Sequence, residues 1–74
     1  PSDDLNIAWT QDKSSVSVSN VEVERMVLYT ASGVQVRTSS TNKISTAKIN
    51  KGDVFMVSVQ IAGLDRWVTK KFIK

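Results

Sequence analysis

The side chains with which this chain could do acid–base chemistry are its carboxylates: Asp3, Asp4, Asp12, Glu22, Glu24, Asp53 and Asp65. Two carboxyls whose surroundings split their pKa values are enough to hydrolyse a glycosidic bond. Their settings argue against that use. The aspartates fall in predicted turns or near the first residue, where Asp is a solvated turn former. Glu22 and Glu24 alternate with valines on a face that the pattern gives to solvent. The chain has no His and no Cys, which removes the commonest general base and metal ligand. With them go the usual zinc spacings and the Cys and Ser-His-Asp nucleophile sets. Gly33, Gly52 and Gly63 lie too far apart to form a phosphate-cradling loop. The residues therefore point away from an enzyme, and they call for no cofactor and no metal.

The elements that would position these groups are strands. "LNIAW" sets Leu5, Ile7 and Trp9 on one face, and "VSVS" does the same for Val16 and Val18. Gln11 to Ser14 are polar enough to turn between them. In "VEVERMVLYT", Val21, Val23, Val27 and Tyr29 share one parity, Arg25 interrupts it, and Met26 and Leu28 load the other, which predicts a bulge near Arg25 or a change of partner. "TASGVQV" predicts a hairpin in which Gly33 takes a left-handed conformation after Thr30-Ala31-Ser32 and closes a bulged turn. "RTSSTNK" reads as a loop. A turn at Asn50-Lys51-Gly52 then leads into Phe55, Val57, Val59 and Ile61 on one face. Val54 and Met56 add apolar character to the other, as befits a strand in the middle of a packed structure. Gly63-Leu64-Asp65 turns the chain into a last strand, Arg66 to Lys74.

About seven short strands with no helical period argue for an antiparallel sandwich or a small barrel. At 74 residues, 41% apolar and 23% charged, the chain has room for one domain and one core, and enough apolar content to fold. No apolar run approaches the roughly 18 residues of a membrane helix, and the first residues lack the basic and apolar segments of a signal peptide. A start at Pro1 rather than Met suggests a piece processed from something longer, with residues 1–4 as a linker remnant. A marginal all-β domain of this size suits attachment to a larger partner.

The order of these motifs carries a resemblance. "VLYTASGVQV", then "ISTAKINKGDVFMVSV", then a glycine turn and "TKKFIK" resemble the type A C-terminal sorting domain of the type IX secretion system in Bacteroidetes, clearly over residues 26–74. Tyr29 and Gly33 fall on the family's hairpin motif, Ile49 and Gly52 on its turn motif, and Gly63 on the glycine turn. Lys70, Lys71, Phe72, Ile73 and Lys74 fall on its terminal motif. The sequence departs from the pattern in Thr30, where the family often has Asp, and in Val34, where a basic residue is usual. Asp53 reads as a one-residue insertion that calls for a bulge or a longer turn.

The resemblance implies a seven-stranded, immunoglobulin-like antiparallel β-sandwich that acts as an address rather than a catalyst. Its cargo would be a larger protein on the N-terminal side, exported to the periplasm and then carried to the outer membrane, the cell surface or the medium. Its partners would be the type IX translocon and outer-membrane shuttle proteins, together with a sortase-like peptidase that commonly removes the domain at a cut close to or upstream of Pro1. Such a signal ends its natural polypeptide, so the parent is expected to stop at or near Lys74.

Each of these residues also has a plainer role. Gly33 and Gly52 satisfy turn backbones, Trp9 and Trp67 are expected to supply core area, and the terminal lysines can protect a sheet edge from unwanted pairing. Val68, Phe72 and Ile73 are expected to tie the last strand into the sheet while Lys70, Lys71 and Lys74 face a partner. The open edge of that strand leaves room for an edge-strand or swapped homodimer. The alternative function is an immunoglobulin-like accessory module for carbohydrate or protein adhesion, because the fold hosts many activities. Nucleic acid is a poor fit despite the net charge of +3, since aromatics form only 7% of the chain and do not interleave with basic residues.

Overall fold

In the computed structural model, residues 7–63 and 65–74 are described. The expectations that fall on Leu5, on residues 1–4 and on Leu64 lie outside them. Seven strands follow one another: β1 (Trp9–Gln11), β2 (Ser15–Val18), β3 (Val23–Thr30), β4 (Gln35–Ser39), β5 (Lys43–Ser45), β6 (Val54–Ile61) and β7 (Trp67–Ile73). All pairings are antiparallel, in a three-stranded sheet of order β1-β2-β5 and a four-stranded sheet of order β4-β3-β6-β7. This is an all-β, antiparallel β-sandwich, and no helix occurs among the described residues.

Period-two patterning decides which side chains fill the space between the sheets. Val16 and Val18 from β2, Ile44 from β5, Met26 and Leu28 from β3, and Phe55, Val57, Val59 and Ile61 from β6 form one buried cluster with Ile49 and Phe72. The apolar parity of β6 therefore faces the core, and β6 lies inside its sheet between β3 and β7, as a strand apolar on both faces should. Ser58, on its other face, is buried as well and is 2.7 Å from the Thr69 hydroxyl of β7. A buried hydroxyl is thus given a cross-strand partner.

The bulge expected near Arg25 is present. Val23 pairs with Ile61 and Arg25 with Gln60, so Glu24 is an extra residue on β3. It resets the parity. Val21 and Val23 pack against the core before it, and Met26 and Leu28 do so after it. The hairpin bulge is also found, with Leu28 opposite Arg37 and Tyr29 opposite Gln35, which leaves Val36 over. Gly33 has φ of +92° and its N–H donates to the Thr30 carbonyl at 2.9 Å. The space where a Cβ would sit is empty, so a substitution there acts through the backbone alone. Gly33→Ala is expected to cost about 1–2 kcal/mol, to be checked by urea denaturation. A loss near zero would show that the turn relaxes.

Three expectations are corrected. Residues 37–43 are not one loop: β4 runs to Ser39 and β5 begins at Lys43. Ser39 Oγ and Thr41 Oγ1 both donate to the Lys43 carbonyl, at 2.8 and 3.1 Å, and these bonds fold the Ser/Thr run into a tight turn. Trp67 does not supply core area. It is 47% exposed, because its parity on β7 points to the outer face of the sheet. Ile73 has the same parity and is 64% exposed, so Phe72, with Val68 half-buried, ties the strand to the core.

Candidate functional site

Strand register determines which motif residues meet. Thr30 pairs with Phe55, and Phe55 with Phe72. The tip of the β3–β4 hairpin, the start of β6 and the end of β7 therefore lie at one end of the sandwich. The turn preceding β6 is at that end too, closed by the Asp53 N–H on the Asn50 carbonyl at 3.0 Å, with Gly52 at φ +89°. Tyr29, Gly33, Ile49, Gly52 and residues 70–74 thus gather at one end. Gly63, at φ +81° between β6 and β7, lies at the other.

The last residues close this end. The Lys74 N–H donates to the Asp53 carbonyl at 2.9 Å. Its ammonium donates to the carbonyls of Thr46 and Ile49, at 2.6 and 2.9 Å. Asp53, the residue that looked like an insertion, is therefore the acceptor for the final rung of the β6–β7 ladder. Lys74 is half-buried and spends its charge inside the fold rather than facing outward with the other lysines. The physical cause is local. Residues 46–49 turn through a bond from the Ile49 N–H to the Thr46 carbonyl, and this presents carbonyl oxygens toward the chain end.

Phe72 is stacked on Phe55 with ring centroids 5.4 Å apart and planes 15° apart, and meets Trp9 edge-on at 5.6 Å and 64°. It links the two sheets, since Trp9 belongs to β1. Gln11 of β1 adds a second link, its Nε2 donating to the Ile73 carbonyl at 2.9 Å. Lys70 lies on the same face of β7 as Phe72, with Nζ 5.8 Å from the ring centroid, a cation over an aromatic face at the solvent rim. Lys71 is on the other face, at the end of a row that runs Gln35, Tyr29, Met56, Lys71 across the four strands. It is exposed, and among the described residues it has no hydrogen-bonding or ion-pairing partner.

Beside the chain end is an open depression of about 260 Å³ lined by Gln11, Asp12, Lys13, Lys51 and Lys74. Lys13, Lys51 and Gln11 were not legible as neighbours of Lys74, because the contact joins segments up to 62 residues apart and leaves no local pattern. No group of three or more potential metal ligands occurs among the described residues. The arrangement presents a cationic strand whose exposed chemistry is that of Lys70, Lys71 and the main chain of β7. No family model matches the chain, and no curated protein or solved structure matches it either.

Proposed function

We propose that this domain is a sorting signal of the type IX secretion type, which directs an attached cargo protein through the outer membrane and is read by the export machinery at its terminal strand. One observation carries this reading. The three motif segments that resemble the sorting family, separate in sequence, converge on one end of the sandwich, where Lys74 is bonded to Asp53, Thr46 and Ile49. A signal read by a partner needs a fixed shape, and these bonds give the last residues one. The absence of His and Cys chemistry fits a substrate and ligand better than a catalyst.

The test is a fusion of residues 1–74 to a periplasmic reporter in a type IX-competent bacterium, compared with the same fusion lacking residues 72–74. Surface display of the reporter is expected for the whole domain and periplasmic retention for the truncated one. Equal export of both refutes a terminal signal. A parent polypeptide continuing well past Lys74 would refute it too.

The half-exposed indole of Trp67 favours a second reading, an accessory module that stacks a sugar ring on the outer face of the four-stranded sheet. Trp67→Ala separates the two. It should leave export unchanged under the sorting reading, and abolish glycan binding under the other. Glycan-array binding that disappears in Trp67→Ala, with no export activity, would establish the adhesion module.

A further inference from the structure

The free edge of β7 has a definite chemistry. In the β6–β7 ladder the Lys74 N–H donates to the Asp53 carbonyl and the Ile61 N–H donates to the Arg66 carbonyl. Even-numbered residues of β7 therefore direct their main-chain groups toward β6, and odd-numbered ones direct theirs away from it. The Ile73 carbonyl fits this parity, since it points outward and receives Gln11. What remains open along the edge is the N–H and C=O of Trp67, Thr69 and Lys71, together with the N–H of Ile73. Strand β7 is at the end of its sheet, with no strand beyond it among the described residues.

The side chains along this edge are not uniform. On the outer face Trp67 and Ile73 are the exposed apolar ends, 47% and 64% accessible, with Lys71 between them; Lys70 is exposed on the opposite face. Two adjacent cations sit near the middle of the strand, one on each face, flanked by apolar side chains. We infer that the edge of β7 accepts an extended, acidic segment of another protein as an added antiparallel strand. Two consecutive carboxylates of that segment lie opposite Lys71 and Lys70, and apolar residues lie opposite Ile73 and Trp67. Main-chain bonds supply affinity in such strand addition, and the side chains beside the edge supply specificity.

Charge selects this occupant over a second copy of the chain. Two β7 strands paired over their full length centre on residue 70, which sets Lys70 opposite its own copy, and like charges directly opposite are unfavourable. A chain of net charge +3 adds repulsion at long range. An acidic strand reverses both effects.

This inference rests on the sorting reading only for the partner's place in the export machinery. The binding assay below uses no such machinery, so its failure and the failure of export are separate results. The probe is the heptapeptide Ile-Thr-Glu-Glu-Thr-Thr-Ile, acetylated and amidated, which places Glu-Glu opposite Lys71 and Lys70 when antiparallel. Titration into the isotope-labelled 74-residue domain is expected to slow amide exchange at Thr69 and Lys71 and leave Lys70, already bonded to β6, unchanged. Replacing Glu-Glu by Lys-Lys in the peptide should weaken binding about tenfold or more. The domain carrying Lys70→Glu and Lys71→Glu should reverse that preference. N-methylation of the peptide amides that face β7 should abolish binding, while methylation of those that face away should not.

Equal binding of both peptides would overturn the inference. So would protection that does not alternate along β7, or sedimentation showing a dimer that the acidic peptide cannot dissociate.

Discussion

Phe72→Ala is expected to lower the stability of the domain by about 3–5 kcal/mol, the range for emptying a buried aromatic site. A chain of this length has about 4–11 kcal/mol in total at typical per-residue stabilities, so the loss is a large share of the whole. The size of the effect follows from position. Phe72 is buried, touches Phe55 on its own sheet and Trp9 on the other, and so its removal opens a void between the sheets. Ile73→Ala, one residue further on, should change stability by no more than about 0.5 kcal/mol, because that side chain is in solvent. Urea denaturation of both variants measures the contrast. Equal losses would mean that the parity assigned to β7 is wrong.

Lys74→Met is expected to cost about 1.5–3 kcal/mol, the range for hydrogen bonds to a charged group. Methionine keeps much of the aliphatic stem and removes the ammonium that serves the Thr46 and Ile49 carbonyls. The loss should be local at first. Amide exchange is expected to quicken at Ile49 and Asp53, whose N–H groups close the turns beside Lys74, before it quickens in β6. Uniform exchange throughout the domain would show that the turn has no independent opening. Lys71→Ala is the matching control. It removes a charge with no partner among the described residues and should leave stability within about 0.5 kcal/mol. If Lys71→Ala abolishes export while the fold is intact, the machinery reads the side chain. If only Lys74→Met does so, it needs the strand end in place.

The strands were legible because alternation is a local property. Phe55, Val57, Val59 and Ile61 announce their buried face without reference to anything distant, and Gly33 announces a turn through its own backbone freedom. The bulge at Glu24 was readable because it breaks parity within a single run. The fate of the last residues was not, since it depends on which end of the sandwich the turn of residues 46–53 occupies. Lys70, Lys71 and Lys74 look alike in sequence. In the fold one covers an aromatic ring, one is free and one is bonded inward. Trp67 and Ile73 were misplaced for a related reason. Hydrophobicity predicts burial, but on an edge strand the pleat sends every second side chain away from the core whatever its type.

The links from Trp9 to Phe72 and from Gln11 to Ile73 also govern when the domain can fold. Contacts that span 62 residues of a 74-residue chain raise its contact order, in the direction of slow, late-closing β folds. During synthesis β6 has no partner on its β7 side until residues 67–73 have been made, and the bridge between the sheets waits for Phe72. Every shorter nascent chain lacks these contacts. The sandwich is thus completed by its last strand, so any protein attached ahead of it is made before the domain has its native shape.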